Sequence, residues 1–145
     1  MNQVTHDAPH SEALLSIRIV GINHVGLRVC DEARAVRFYE QLGFRVVARA
    51  KELPLTAMRN DAGVELHLIV NADPRYGGRN RLLDEPEKYA GYTHLAVSVS
   101  SIDDCLRALS ELGANITEGP VRHGPGLSLY VRDPDSNVLE LRQDD

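Results

Sequence analysis

The stretch Ile22–Val29 reads INHVGLRV, and a near copy, Tyr92–Val99, reads YTHLAVSV seventy residues later. In both stretches apolar residues alternate with small or polar residues, which is the pattern of a β-strand with one buried face. The alternation puts His24 and His94 on the face opposite the core, each near the start of its strand. The two strands are therefore expected to be equivalent members of a duplicated unit.

A helix pattern follows each strand at the same spacing, over residues 31–42 and 101–112. Each segment opens on a residue that caps helix N-termini, Asp31 or Ser101, and is followed by a glycine suited to the left-handed position after a helix. The duplication therefore covers a strand and a helix, and not a strand alone.

The downstream segments complete two βαβββ modules. We predict a flexible tail at residues 1–16 and a single domain at 17–145, made of a module at 17–70, a connecting loop at 71–91 and a module at 92–145. The fold class is α+β, with the helices on one face of each sheet. The other faces are expected to form a cleft-shaped half-open barrel.

Some element boundaries depend on local pattern alone. The first strand is expected to span Ile17–Val29, and a loop is expected at residues 119–126, between two strands of the second module. Asp133–Asn137 is predicted to be the turn before the last strand, with Asn137 accepting the left-handed conformation.

Composition and charge narrow the function classes. The chain has 145 residues and a formal net charge of -5, which argues against nucleic-acid binding because that favours a basic stripe. The apolar run at residues 13–17 is too short for a signal core or a membrane span. With two cysteines and no disulfide framework, we expect a cytoplasmic protein with reduced thiols and no membrane partner.

Four potential metal ligands lie on the strand faces opposite the core: His24, Glu65, His94 and Glu140. The repeat pairs the histidines at an offset of 70 and the glutamates at 75, which requires a small insertion. Two imidazoles and two carboxylates suit zinc, nickel, manganese or iron. His67 shares a face with Glu65, and it is either an alternative fourth ligand or a substrate contact.

Several motifs resemble the vicinal oxygen chelate superfamily, the glyoxalase and bleomycin-resistance group. They are Asn23-His24-Val25, Phe38-Tyr39 with Leu42-Gly43-Phe44, Val64-Glu65-Leu66, Thr93-His94-Leu95, and Asp133-Pro134-Asp135 through Glu140-Leu141. The resemblance covers about residues 20–142. It implies a divalent metal held by His24, Glu65, His94 and Glu140.

The same resemblance implies a small-molecule substrate with vicinal oxygens and a homodimer. Glu65 stands where glyoxalase I has a ligand, which favours a lyase or isomerase that works through an enediolate, with Glu140 or Glu65 moving the proton. Arg28 stands where glyoxalase I has an arginine for a glutathione carboxylate, but Ile69 replaces the companion asparagine. In such dimers, each site combines His24 and Glu65 of one chain with His94 and Glu140 of the other.

Two alternatives stay open from the sequence. One is an extradiol-type dioxygenase that uses His24, His94 and Glu140 as a facial triad. The other is a metal-free binding protein of the bleomycin-resistance kind, with a ligand in the cleft. One fold in this superfamily hosts many reactions, so the resemblance leaves the reaction open.

Overall fold

A computed structural model describes residues 17–76 and 78–145 of the chain. The tail expected at residues 1–16 lies outside the described residues. The first module contains β1 (Val25–Val29), α1 (Glu32–Gln41), β2 (Arg45–Arg49), β3 (Leu55–Arg59) and β4 (Glu65–Val70). The second contains β5 (His94–Ser98), α2 (Ile102–Glu111), β6 (Asn115–His123), β7 (Gly126–Arg132) and β8 (Val138–Asp144). The predicted α+β fold with two βαβββ modules is confirmed.

Each module has a four-stranded sheet with the same topology. The strand orders are β1-β4-β3-β2 and β5-β8-β7-β6, and the sheets do not close into a barrel. In each sheet the first strand of the module pairs in parallel with the last, while the other pairs are antiparallel. Residues far apart in the sequence therefore lie side by side on neighbouring strands.

The helix caps form as predicted. The Asp31 side chain accepts a hydrogen bond from Arg34 N, and the Ser101 side chain accepts one from Asp104 N, which satisfies amide groups that the first helical turn leaves unpaired. Both helices end before a glycine with positive φ. Among the described residues, neither α-helix has the length and apolarity needed to cross a bilayer.

Each helix covers one apolar sheet face. In the first module, Tyr39 of α1 packs with Leu66 and Leu68 of β4, and all three are buried. In the second module, Leu109 of α2 packs against Leu139 of β8. The alternation in β4 and β8 is therefore confirmed, because the leucines face the core and the residues between them face away from it.

Two strand boundaries were wrong. The first strand begins at Val25 and not at Ile17, because its partner β4 begins at Glu65 and offers nothing to pair with earlier residues. The loop expected at 119–126 is mostly strand, since β6 continues to His123. Register irregularities in this edge strand accommodate Gly119-Pro120, as is usual for proline in a sheet.

Hydrogen bonds join the two modules. The buried Tyr39 hydroxyl donates to Asp133 Oδ2 at 2.8 Å, and Asn137 Nδ2 donates to the carbonyl oxygen of Arg28 at 3.2 Å. Ser136, and not Asn137, takes the positive φ in this turn, with φ 63°. Burial raises the pKa of Asp133, although hydrogen bonds from Asn137 and Tyr39 oppose this rise.

The Tyr39→Phe variant is expected to lose about 1–3 kcal/mol in free energy of unfolding at neutral pH, because a buried carboxylate loses a donor. The pKa of Asp133 in the folded state is already raised, and it rises further without this donor. Acidification toward that pKa protonates Asp133 and relieves the loss. The difference in free energy of unfolding between wild type and variant should therefore be smaller at about pH 4.5 than at about pH 7.

Urea unfolding followed by circular dichroism at both pH values tests this expectation. Tyr89→Phe is the control, because Tyr89 is exposed and, among the described residues, Tyr39 is the tyrosine that donates to Asp133. A Tyr39→Phe loss that is equal at both pH values would contradict the assigned role of Asp133.

Candidate metal centre

The parallel strand pairs define which residues of the two modules are equivalent. In the first sheet Gly26 pairs with His67, and in the second Ala96 pairs with Glu140. Gly26 and Ala96 each lie two residues after the histidine at the strand start. His67 is therefore the structural counterpart of Glu140.

The antiparallel pairs give the same result. Arg59 pairs with Glu65 in the first sheet, and Arg132 pairs with Val138 in the second. The counterpart of Glu65 is therefore Val138, and the sequence-based pairing of Glu65 with Glu140 is wrong. The offset between the copies is 70 at β1 and β5 but 73 at β4 and β8, and the pairing at 75 missed this register by two residues.

The first group of potential donors consists of His24, Glu65 and His67. Their rings stack with centroids 3.7 Å apart and an interplanar angle of 13°. His24 Nδ1 lies 2.7 Å from Asn23 Oδ1, and His67 Nε2 lies 2.8 Å from Glu65 Oε1. The other oxygen of Glu65 accepts from Arg59 Nη2 and Nε at 2.5 and 3.0 Å. The hydrogen bonds from His67 and Arg59 lower the pKa of Glu65, which favours its ionised form.

The second pair of donors consists of His94 and Glu140. His94 Nε2 lies 3.0 Å from Glu140 Oε2, while Glu140 Oε1 accepts from the buried Ser128 hydroxyl at 2.6 Å. Thr93 Oγ1 lies 2.9 Å from His94 Nδ1. Tyr130 meets the His94 ring edge-on at 6.0 Å, and burial together with Glu140 raises the pKa of this phenol.

Four of the potential ligands, His24, His67, His94 and Glu140, each contact at least one polar neighbour. The four contacts are Asn23 to His24, Glu65 to His67, Thr93 to His94 and Ser128 to Glu140. A proton on Nδ1 of neutral His24 would donate to this amide oxygen and leave Nε2 with a lone pair. Such neighbours orient the ligands in metal sites of proteins.

The two pairs do not combine within one chain. Among the residues that the structure describes, no group of three or more histidine, cysteine, aspartate or glutamate side chains is placed to hold a metal ion. A cavity of about 740 Å³ lies between the modules, and its lining includes His24 and Glu65 but neither His94 nor Glu140. We call His24 with Glu65 and His67 the first half-site, and His94 with Glu140 the second half-site.

Each sheet carries one arginine near its half-site, and the two arginines belong to equivalent strand pairs of the two modules. Arg28 pairs with Ile69 on the first sheet, and Ser98 pairs with Arg142 on the second. The exposed Arg28 guanidinium forms no hydrogen bond or ion pair with any residue in the described ranges. It is the predicted substrate contact that is most available to an anionic group.

Arg142 is less available than Arg28. Its Nε donates to Asp144 at 2.7 Å, and its Nη1 donates to the Ser128 hydroxyl at 3.3 Å. The same Nη1 lies 3.9 Å from Glu140 Oε1. The guanidinium therefore supports the contact between Ser128 and Glu140.

The sequence reasoning missed the residues that hold the donors. Arg59 and Ser128 reach the glutamates from neighbouring strands, so they become visible once the hairpin register is known. Asn23 and Thr93 directly precede the histidines and occupy equivalent places in the repeat. Their equivalent placement was the signal in the sequence that both residues contact the histidine that follows them.

Large apolar side chains next to both half-sites are exposed. Ile22 is 87% exposed and Tyr92 is 101% exposed, and each lies two residues before a half-site histidine. Ile17, Ile19 and Val20 continue this surface on the N-terminal side and are also exposed. An apolar surface of this kind is typical of a protein interface.

Most of the chain matches one protein family. The Glyoxalase/Bleomycin resistance protein/Dioxygenase superfamily matches residues 21–141. The chain belongs to this superfamily, as the resemblance predicted.

Individual relatives carry different activities in their names. The chain is 51% identical over 133 residues to "Glyoxalase domain-containing protein RDO1" of Mycosarcoma maydis, covering 88% of this chain and 69% of that protein. It is 33% identical over 125 residues to "Metallothiol transferase FosB" of Shouchella clausii, covering 83% and 78%. It is 29% identical over 126 residues to "Putative lactoylglutathione lyase" of Brassica oleracea; that match covers 83% of this chain but 43% of the plant protein.

A solved structure has the same fold over almost the whole chain. "Virulence protein STM3117" of Salmonella typhimurium superposes with a TM-score of 0.64 and 27% sequence identity. The match covers 89% of this chain and 100% of that chain. The same fold therefore occurs in a solved protein whose sequence is 27% identical to this chain.

Proposed function

We propose that this protein is a metal-dependent lyase or isomerase of the glyoxalase type, acting on a small substrate with vicinal oxygens. The observation that carries the proposal is the matched pair of half-sites, in which a hydrogen-bonded neighbour holds each donor. Relatives named lactoylglutathione lyase favour this reaction class.

The donor chemistry fits a divalent metal. Imidazole nitrogens and a carboxylate oxygen suit zinc, nickel, manganese or iron, and His24, His94 and Glu140 are the proposed common ligands. When bound, the metal would polarise the vicinal oxygens of the substrate and acidify the adjacent C–H group.

The remaining steps belong to side chains of the protein. Glu140 Oε2, which lies beside His94, takes a proton from one carbon of the substrate and returns it to the neighbouring carbon, while Ser128 holds the other carboxylate oxygen in place. Arg28 binds an anionic group of the substrate, and Ile69 beside it provides an apolar contact. This combination favours a substrate less polar than glutathione at this position.

We infer that the working site is shared between two copies of the chain in a homodimer. Each half-site holds only part of the proposed ligand set, and the described residues of one chain do not bring the halves together. A two-fold dimer that joins the first half-site of one copy to the second half-site of the other completes two sites at once. The exposed Ile22 lies beside the first half-site, and the exposed Tyr92 lies beside the second. Together they supply the apolar contact surface.

Removal of the metal should abolish turnover of a hemithioacetal made from a 2-oxoaldehyde and a thiol, and a divalent metal should restore it. Glu140→Gln should lower kcat/KM by about 10²–10⁴-fold, the usual contribution of a general base. The measurement is steady-state kinetics on metal-depleted and reloaded protein. Undiminished turnover after complete metal removal would refute the proposal.

Ile22→Lys and Tyr92→Lys should convert the dimer to monomers, because each buries a charge in an apolar contact. Val47→Lys is the control, since Val47 is also exposed but lies on β2 at the opposite edge of the first sheet. Sedimentation velocity at micromolar concentration gives the oligomeric state. Wild-type protein that sediments as a monomer would contradict the shared site.

An extradiol-type dioxygenase is the second candidate. The two oxygens of Glu65 already bond His67 and Arg59, which favours a centre without Glu65 as a ligand. The remaining ligands, His24, His94 and Glu140, would then form the triad of this second candidate. Oxygen uptake with catechols by iron-loaded protein, without isomerisation of hemithioacetals, would select this reaction.

A further inference from the structure

We propose that Asp84, in the connection between the modules, is a specificity-determining residue that masks Arg132 at one end of the cleft. The masking leaves Arg28 as the guanidinium that receives the anionic group of a substrate. This inference rests on the proposed function, in which a small substrate enters the cleft, and it goes beyond that function in assigning a role to the connection.

The connection contains a compact turn at residues 80–84, which we call the linker turn. The side-chain oxygen of Asn80 accepts from the backbone amides of Leu82 and Leu83 at 3.0 and 3.1 Å. The amide of Asn80 donates to Asp84 Oδ2 at 2.6 Å, and the amide of Asp84 donates to the carbonyl oxygen of Asn80 at 2.8 Å. The linker turn is therefore held by its own hydrogen bonds, and these fix the direction of the Asp84 carboxylate.

An ion pair with two hydrogen bonds attaches the linker turn to the second module. Arg132 donates from Nη1 to Asp84 Oδ2 at 2.9 Å and from Nη2 to Asp84 Oδ1 at 2.8 Å. Asn80 Nδ2 also donates to the carbonyl oxygen of Ser136 at 3.1 Å. The side chains of Arg132 and Asp84 are 14% and 27% exposed, so water screens their attraction only in part. The hydrogen bonds from Arg132 and from the Asn80 amide lower the pKa of Asp84, which favours the charged pair.

The strand register places this ion pair near the second half-site. Because side chains alternate along β7, Arg132 lies on the same face as Tyr130, whose ring meets His94. Arg132 pairs with Val138, and Val138 pairs with His94. Two strand spacings, about 10 Å, thus separate the backbones of Arg132 and His94. The masked guanidinium belongs to the end of the cleft face at which β5 and β8 begin.

The first module neutralises its equivalent arginine by a different route. Arg59 stands at the position equivalent to Arg132, and its carboxylate partner is Glu65 on the neighbouring strand. Val138 stands at the position equivalent to Glu65 and has no carboxylate, so the partner of Arg132 comes from the connection instead. Asp84 therefore does for the second sheet what Glu65 does for the first.

Arg132 has the properties of an anion site that Asp84 fills. Its Nε is buried and has no hydrogen-bond partner among the described residues, and both Nη atoms would lose their carboxylate partner without Asp84. A partly buried cation that has lost its partner is unfavourable, so an anion from outside would be drawn to it. Arg142 already contacts Asp144, whereas the exposed Arg28 has no partner in the described ranges. Masking of Arg132 therefore directs an anionic group to Arg28.

Calorimetric titration with inorganic phosphate compares the masked arginine with the unmasked one. Asp84→Asn should bind phosphate at least about 10-fold more tightly than wild type, because it frees a partly buried guanidinium and keeps the shape of the side chain. The double variant Asp84→Asn with Arg132→Gln should return to the wild-type affinity.

The matched control is Asp73→Asn, which removes the same charge from the same connection. It frees Arg75, whose side chain is 84% exposed, and it should bind phosphate as wild type does because water solvates this guanidinium. Equal affinities in wild type and Asp84→Asn, or equal tightening in Asp84→Asn and Asp73→Asn, would overturn the proposal.

Steady-state kinetics with two hemithioacetals of methylglyoxal test the effect on specificity. For the anionic adduct with mercaptoacetate, Asp84→Asn should lower KM and kcat by the same factor, because binding at Arg132 holds this substrate in an unproductive orientation. For the neutral adduct with 2-mercaptoethanol, both constants should equal those of wild type. An unchanged KM for the anionic adduct would refute the role in specificity. Absence of turnover in wild type would contradict the proposed function instead, and the phosphate titration would still decide whether Asp84 masks Arg132.

Discussion

The parallel pairing of the first and last strands in each module determines which side chains meet in this protein. β1 lies beside β4, and β5 lies beside β8, although about 40 residues separate the paired strands. Since side chains alternate between the faces of a strand, the register of each pair selects the residues that meet on the cleft face. A shift of two residues would keep the leucines in the core but exchange His67 for Glu65 beside Gly26. The chemistry of the proposed centre therefore depends on register more directly than on the hydrophobic pattern.

The two modules share this strand pairing in their backbones, but the side chains that it brings together differ. The turns before β4 and β8 match, with positive φ at Gly63 and at Ser136 and equivalent backbone hydrogen bonds. The side chains differ, because a carboxylate orients His67 whereas a hydroxyl orients Glu140. In the proposed centre the first half-site would contribute ligands from His24, Glu65 and His67, and the second would contribute His94 and Glu140. Neither half-site has enough donors to hold a metal firmly, which makes a second copy part of the proposed centre.

Much of the fold followed from local signals in the sequence. The caps Asp31 and Ser101, the glycines after the helices and the leucine alternation in β4 and β8 were sufficient to predict two βαβββ modules. These features report local backbone geometry and one-sided burial, which neighbouring residues determine. The start of β1 was predicted less well, because it depends on where its partner β4 begins.

The candidate site was predicted in outline but not in register. His24 and His94 were identifiable because the repeat keeps a constant spacing through their strands. Glu65 was paired with Glu140 because both precede a leucine, and a repeat of length 70 cannot reveal where an insertion of three residues lies. The roles of Arg59 and Ser128 were not predictable, since each depends on cross-strand neighbours.

A mixed dimer tests most directly whether two chains share each metal centre. His24→Ala disables the first half-site of one chain, and His94→Ala disables the second half-site of the other. A heterodimer purified through two different affinity tags then retains one intact combination. The shared-site account predicts one tightly bound zinc per heterodimer and none in either variant homodimer. A heterodimer that binds zinc no better than the two homodimers would contradict it.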